Sequence, residues 1–253
     1  MFERRTVIKG LAGVPLAAVL ADASLARAAA AGLEPQSLSL PSGDTVSGAL
    51  GLPQAAKAPA VLLIHEWWGL NDQIKAVAAE LSQLGYLTLA CDLMKGKVAT
   101  TPEEAQGLTK SVDAKTATET VVGWIEWLRR HDRGTGKVGV VGWCFGGGWS
   151  LNASLATPVD ATVIYYGVLD KTPAQLAALK GPVLGHFGTQ DSFINPAMVE
   201  RFKTAMAQAH KPADLYSYDA NHAFANPTGQ NYHRADAQLA WQRTLAFLKQ
   251  NLA

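Results

Sequence analysis

The chain has 253 residues, of which 48% are hydrophobic and 17% charged, and its formal net charge is +1. This length and apolar content are sufficient for a domain with a sizeable core. The near-neutral charge gives no support for nucleic-acid binding or for electrostatic attachment to an anionic membrane.

The N-terminal segment 1–28 has the features of a targeting signal rather than of a folded part of the domain. It contains the twin-arginine pair Arg4-Arg5, then a short, weakly hydrophobic stretch over 10–20, and ends in Ala26-Arg27-Ala28, which fits a small-residue cleavage site. The apolar stretch is too short to span a membrane stably. An uncleaved N-terminal anchor is the alternative.

We therefore expect two parts in the chain, a twin-arginine-type signal peptide over 1–28 and one mature domain over 29–253. The signal predicts recognition by the bacterial twin-arginine export machinery and a periplasmic or secreted mature protein. After cleavage we expect no stable membrane span.

The rest of the chain alternates between strand patterns and helix patterns. Short apolar runs predict strands, in chain order, at 37–40, 46–52, 60–65, 86–91, 137–143, 161–166, 183–188 and 215–218. Apolar residues at helical spacing predict helices near 74–84, 117–128, 196–209 and 237–248. The first two strands flank a turn signal and form a hairpin. This alternation predicts an α/β fold with a mostly parallel, twisted sheet and helices on both faces.

The segment Gly142-Trp143-Cys144-Phe145-Gly146 carries the most information about chemistry. It places a cysteine between two glycines where a strand ends and a helix begins, which is the nucleophile elbow of an α/β-hydrolase with cysteine in place of serine. A Cβ at either glycine would crowd the tight approach of strand and helix. The positive end of the helix favours a thiolate. A buried small hydrophobe is the alternative for Cys144.

Two later residues complete the pattern. Asp191 and His222 each follow a strand-like segment, and the order nucleophile, acid, histidine is that of α/β-hydrolases. We therefore predict Cys144 as nucleophile, His222 as general base and Asp191 as the group that orients the imidazole. Taken alone, Asp191 fits a turn cap and His222 fits a hydrogen-bonded loop histidine.

The negative charge that develops on the substrate needs two converging N–H donors. The backbone of Phe145, directly after the nucleophile, supplies one. The loop after the strand at 60–65 should supply the other, from Glu66 or Trp67.

Four segments together resemble the dienelactone hydrolase family of α/β-hydrolases: His65–Asn71, Gly142–Gly147, Asp191–Phe193 and His222–Phe224. The resemblance covers about 38–252. It implies that Glu66 lies beside the resting thiol until substrate binding releases it. It also implies that the backbone of Trp67 forms the oxyanion hole together with Phe145. On residue type alone, a solvated loop carboxylate is the alternative for Glu66.

The chain departs from the family pattern at the substrate clamp. The best-known members hold the substrate's carboxylate with two arginines, but the matching places here read Met94-Lys95-Gly96-Lys97 and Asn226. Neither asparagine nor lysine can bind a carboxylate through two parallel N–H groups as the planar guanidinium of arginine does. The aromatic residues instead predict a pocket with apolar walls. For all of them except Trp67 and Phe193, which flank site residues directly, burial in the core is the alternative. The predicted substrate-binding residues are Trp68, Tyr166, Phe193, Phe224 and Asn226.

We expect no metal and no cofactor, because no histidine or acidic residue has a partner at metal-ligand spacing and the glycine run lacks a phosphate-binding motif. A disulfide between Cys91 and Cys144 is not expected, since it would consume the nucleophile. A serine esterase is excluded because no serine occupies the elbow.

The sequence therefore predicts a hydrolase that cleaves a small carboxylic ester or lactone through a thioester acyl-enzyme on Cys144. The alternative is a non-catalytic binding protein or a thiol sensor on a hydrolase scaffold, because fold alone does not guarantee turnover.

Overall fold

The computed structural model describes residues 15–253. The predicted twin-arginine pair and the first part of the apolar stretch lie outside the described residues. The chain divides into two compact units, one that ends at Gly136 and one that begins at Lys137.

The first unit is built around four strands and the helices that pack on them. The strands are β1 (Glu34–Ser39), β2 (Thr45–Gly51), β3 (Ala58–Ile64) and β4 (Leu87–Cys91). The described helices are α1 (Leu16–Ala21), α2 (Ala23–Ala30), α3 (Asp72–Gln83), α4 (Pro102–Ser111) and α5 (Ala114–Arg130).

The strands of this unit lie in the order β1-β2-β4-β3. β1 and β2 form the predicted antiparallel hairpin, β2 pairs antiparallel with β4, and β4 pairs parallel with β3. β3 is buried along almost its whole length, as its continuous apolar run requires. Helix α3 packs on β2, β3 and β4, and α5 packs on β3 and β4.

The described end of the predicted signal segment is helical. Asp22 caps α2 by accepting hydrogen bonds from the backbone of Ser24 and Leu25, and both short helices pack on α3. The predicted cleavage motif lies within α2, where Ala26 and Ala29 are buried, so the boundary at residue 28 remains a prediction. Among residues 15–253, no helix has the length and apolarity needed to cross a membrane.

The second unit contains four parallel strands, β5 (Gly134–Trp143), β6 (Ala161–Tyr165), β7 (Val183–Gly188) and β8 (Ala213–Tyr218), in that spatial order. Its helices are α6 (Phe145–Ala156), α7 (Pro173–Leu176), α8 (Pro196–Gln208) and α9 (Arg234–Leu252). Because the strands are parallel, the loops that follow them meet at one edge.

Helices cover both faces of these strands, as the sequence predicts. Thr162 of β6 donates a hydrogen bond to Ser154 of α6 at 2.7 Å. Tyr165, on the opposite face of the same strand, shares a 2.7 Å hydrogen bond with Thr244 of α9. Helix α8 packs on β7 and β8, and its Phe202 joins a buried apolar cluster that also contains Leu151 of α6.

Candidate active site

The turn after β5 places Cys144 in a strained backbone conformation. Its φ is 54° and its ψ is −114°, at the residue that precedes α6. The backbone N–H of Cys144 donates to the carbonyl of Tyr165 at 2.9 Å, which fixes the turn against β6. A Cβ at Gly142 would collide with the carbonyl of Gly146. Gly142 is therefore required by a close backbone approach to Gly146, as predicted.

Three side chains that are far apart in sequence form a continuous chain of hydrogen bonds. The Nε2 atom of His222 lies 3.2 Å from the sulfur of Cys144. The Nδ1 atom of the same ring lies 2.7 Å from Oδ2 of Asp191. The side chain of Asp191 is fully buried, whereas that of His222 retains 18% of its exposure. The imidazole therefore lies between a buried carboxylate and a thiol.

Asp191 is held by its own loop. Its Oδ1 atom accepts hydrogen bonds from the backbone N–H groups of Phe193 at 2.7 Å and Ile194 at 2.9 Å. Burial by itself raises the pKa of Asp191, but the hydrogen bonds from His222 and from these two N–H groups outweigh it and lower the pKa. The group is therefore an ionised carboxylate with one oxygen directed at the imidazole.

The same bonds make His222 a stronger base. Burial alone lowers the pKa of His222, but the hydrogen bonds with Asp191 and Cys144 overcome this effect and raise the pKa to about 10. With Nδ1 bonded to a carboxylate, Nε2 is the nitrogen that faces the sulfur.

Aromatic rings surround this imidazole. The ring of Tyr166 lies 5.2 Å from that of His222, and the ring of Phe193 lies 5.3 Å from it. Phe193 is 72% exposed, while Tyr166 is almost fully buried. Phe224 has no exposed surface and packs behind Tyr166 at 5.5 Å. Of these predicted wall residues, Phe193 presents its surface to solvent beside the imidazole.

Asn226, the residue at one of the missing arginine positions, takes part in a turn. Its Oδ1 atom accepts hydrogen bonds from the backbone and the hydroxyl of Thr228, each at 3.0 Å. Asn231, further along the same loop, donates to the carbonyl of His222 at 3.0 Å. The loop thus supports the imidazole from its backbone side.

The loop with the other predicted residues, Glu66, Trp67 and Trp68, belongs to the first unit. His65 anchors it: the Nε2 atom accepts from the N–H of Leu93 at 3.1 Å, which leaves the proton on Nδ1. Nδ1 donates to the carbonyl of Glu66 at 2.6 Å. Burial lowers the pKa of His65, which keeps this ring neutral. The sequence leaves His65 as either a structural or an exposed residue, and the structure shows that it is buried with these two partners.

Glu66 is buried, and the two tryptophan rings meet edge to face at 5.1 Å. The carbonyl of Trp68 accepts the N–H of Ala99 at 2.9 Å, and Gly69 has a φ of 88° with no room for a Cβ beside the carbonyl of Lys97. The loop after β3 is therefore pinned to the segment after β4.

Neither cysteine is bonded to the other, since both are free thiols. Cys91 is fully buried in β4, and burial raises the pKa of its thiol. Within residues 15–253, no group of three or more histidine, cysteine or acidic side chains has the arrangement of a metal site. Of the two thiols in the described chain, Cys144 is therefore the one that is partly exposed.

A cysteine on a glycine-flanked turn between a parallel strand and a helix, with acid and histidine on the loops after later strands, defines an α/β-hydrolase. The model of the dienelactone hydrolase family matches residues 46–252. The chain belongs to the dienelactone hydrolase family and is a hydrolase of the lactone and ester class. These findings favour turnover over the non-catalytic alternative.

Individual relatives agree with this assignment. The carboxymethylenebutenolidases of Pseudomonas putida and Pseudomonas knackmussii are each 30% identical over 217 residues, which cover 81% of this chain and 92% of theirs. A Klebsiella pneumoniae structure assigned as a dienelactone hydrolase is 26% identical, with a TM-score of 0.76 over 86% of this chain and 99% of that one. A dienelactone hydrolase-like promiscuous phosphotriesterase from metagenomic libraries shares the fold, with 18% identity, a TM-score of 0.78, and coverage of 87% and 99%.

We predict that Gly142→Ala disrupts the elbow, because the new methyl group meets backbone atoms that cannot move aside. The free energy of unfolding should fall by about 1–3 kcal/mol, as at other sites where a side chain is forced into filled space. Urea titrations of wild type and variant measure this difference. Gly148→Ala is the matched control, since its Cβ would meet nothing closer than 3.5 Å. Equal stability of the two variants would contradict this close approach.

The free energy of unfolding should depend on pH through the protonation of His222. Because the folded pKa of His222 lies near 10, above the ordinary value of 6.5, folding tightens the binding of this proton. The resulting stabilisation is complete below about pH 6.5 and is lost as pH rises towards 10. We expect the difference in unfolding free energy between wild type and His222→Gln to be largest near pH 6 and to shrink towards pH 10, in urea titrations across that range. A difference that grows with pH would refute this assignment.

Proposed function

We propose that this protein cleaves a carboxylic ester or lactone through a thioester acyl-enzyme on Cys144. The observation that carries the proposal is the hydrogen-bond chain from the sulfur through His222 to Asp191, at 3.2 Å and 2.7 Å. It supplies a nucleophile, a base and an orienting carboxylate in the required order.

In acylation, Nε2 of His222 accepts the proton of the Cys144 thiol, and the sulfur attacks the carbonyl carbon of the substrate. The C–S bond forms as the carbonyl oxygen takes the negative charge. When this intermediate collapses, the C–O bond to the alcohol breaks and the imidazolium returns its proton to the leaving oxygen. In a lactone, that oxygen stays attached to the acyl group.

In deacylation, the same imidazole removes a proton from water, which attacks the thioester carbon. The C–S bond then breaks, and the sulfur recovers its proton from the imidazolium. Asp191 keeps the Nδ1–H tautomer in place through both half-reactions and stabilises the imidazolium that forms in each.

The developing oxyanion needs donors. We carry over from the family resemblance the backbone N–H of Phe145 and that of Trp67 as this pair, and Glu66 as the carboxylate that responds to substrate. The position of Phe145 as the first residue of α6 supports its part of the proposal, because the positive end of a helix favours a nearby anion.

We further propose that the preferred substrates are uncharged. Asn226 uses its carbonyl oxygen within its own turn and does not offer a cationic fork, while the exposed ring beside the imidazole is the apolar Phe193. The carboxymethylenebutenolidase names of the relatives refer to an anionic lactone class, from which this chain would differ in preference.

The export proposal rests on the sequence of residues 1–28. We propose passage through the twin-arginine machinery in the folded state, followed by removal of this segment outside the cytoplasm. Helix α2 would have to unwind for cleavage within it, because peptidases act on extended backbone. N-terminal sequencing of the exported protein decides the boundary, and a retained residue 16 would contradict it.

We predict that wild-type protein mixed with p-nitrophenyl acetate forms a transient acetyl adduct on Cys144, visible by intact mass and peptide mapping. Cys144→Ala should lose the adduct and roughly 10³-fold or more of the esterase rate. Cys91→Ala is the matched control, because that thiol is buried in β4, and should keep both. Full esterase activity in Cys144→Ala, or a stable oxidised sulfur without turnover in wild type, would overturn the proposed function.

We also predict that Asn226→Arg shifts preference towards anionic substrates, because it restores a guanidinium at a family clamp position. The ratio of kcat/KM for an anionic lactone to that for a neutral lactone of equal size should rise about tenfold. Asn226→Gln, which adds length without charge, is the control. If wild type already prefers the anionic lactone, the proposed substrate class is wrong.

A further inference from the structure

A row of planar side chains crosses the four strands of the second unit. Trp143, Tyr165, His186 and Tyr216 occupy paired positions on β5, β6, β7 and β8. Neighbouring ring centroids are 5.4, 4.5 and 6.1 Å apart in that order. The guanidinium of Arg243 closes the row, 3.8 Å from the ring of Tyr216. The row ends at the residue that precedes Cys144.

Hydrogen bonds connect the centre of this row to α9. His186 lies 2.8 Å from the hydroxyl of Tyr218 through Nδ1 and 3.1 Å from the hydroxyl of Thr244 through Nε2. The hydroxyl of Tyr165 lies 2.7 Å from the same threonine oxygen. Arg243 donates to the Tyr218 hydroxyl at 3.0 Å. Both ring nitrogens of a fully buried histidine thus have partners.

The imidazole of His186 is neutral. Burial, assisted by the charge of Arg243, lowers its pKa to about 3. A neutral imidazole donates through one ring nitrogen and accepts through the other, and the hydroxyls of Tyr218 and Thr244 can fill either role. Both bonds of His186 are therefore those of an uncharged ring.

The row also anchors two strained residues at the proposed active site. The carbonyl of Tyr165 accepts the N–H of Cys144 at 2.9 Å, and the carbonyl of His186 accepts the N–H of Tyr166 at 2.8 Å. Cys144 and Tyr166 have φ values of 54° and 38°. Left-handed backbone is costly for residues with a Cβ and persists where neighbours fix it. The Tyr166 ring in turn contacts His222.

We propose that His186 is a positioning residue for the Cys144–His222 pair. Its neutral imidazole bridges β8 and α9 and holds the ends of β6 and β7 so that Cys144 and Tyr166 keep their strained conformations. A role of His186 in turnover rests on the proposed function. Its effect on the position of the Cys144 thiol does not, and that effect can be measured without a substrate.

The test measures the rate at which iodoacetamide alkylates Cys144 in the full-length protein, by peptide mass mapping. His186→Phe keeps a planar ring but removes both hydrogen bonds. We expect alkylation to slow about tenfold or more, because small displacements of reacting groups have large kinetic costs. Thr244→Val removes the α9 partner with little change in shape and should act in the same direction. If His186→Phe does not fold, Thr244→Val carries the test.

Tyr216→Phe is the matched control, since it keeps the ring in the row and leaves the hydrogen bonds of His186 intact, and it should alkylate at the wild-type rate. Alkylation of buried Cys91, followed in the same samples, reports general opening of the fold. The proposal is overturned if both variants alkylate Cys144 at the wild-type rate, or if Cys91 becomes reactive in parallel with any change. An absence of ester turnover in wild type, with these rates as expected, would contradict the proposed function alone.

Discussion

A buried carboxylate holds the imidazole of His222 with one nitrogen directed at a sulfur, and the chemistry proposed for this protein depends on that orientation. Two backbone N–H groups occupy Oδ1 of Asp191, so Oδ2 is directed to the ring. A charge-assisted hydrogen bond is stronger than a neutral one and raises the basicity of the ring. Nε2 can therefore receive the proton of Cys144 and later return it, which is what thioester chemistry requires.

The residues around this imidazole adopt strained backbone conformations that hydrogen bonds hold in place. Cys144, Tyr166 and Ala223, which follow β5, β6 and β8, all have positive φ values, each at a cost of about 1 kcal/mol or more. Hydrogen bonds from the backbone of Cys144 and of Tyr166 to the neighbouring strands hold the first two, and the amide of Asn231 holds the carbonyl before the third. Hydrogen bonds to the parallel strands thus offset the free-energy cost of these strained residues.

The strands, the long helices and the turn at Cys144 could be predicted from the sequence, because each depends on residues that are close together in the chain. Apolar runs and helical periodicity located the eight strands and the long helices within a few residues, and the glycines around Cys144 marked the elbow. The short helix α7 was missed because four residues show no periodicity, although its capping box at Thr172 and Gln175 was a usable signal.

Features that depend on contacts between distant residues could not be predicted in this way. His186 and Thr244 are 58 positions apart, and one partner of His65, the N–H of Leu93, also comes from a different loop. Sequence spacing therefore predicts neither contact. Membership of the family is confirmed, and the roles proposed for Glu66 and Trp67 come from that resemblance, because composition and periodicity do not contain them.

The measurement that bears most directly on this orientation is the rate at which iodoacetamide alkylates Cys144 at neutral pH in wild type and in His222→Gln. If the imidazole accepts the thiol proton, wild type should react at Cys144 faster than the variant by about tenfold or more, because the thiolate is the nucleophile, while buried Cys91 remains unmodified in both. Equal rates at Cys144 in the two proteins would contradict the role proposed for His222.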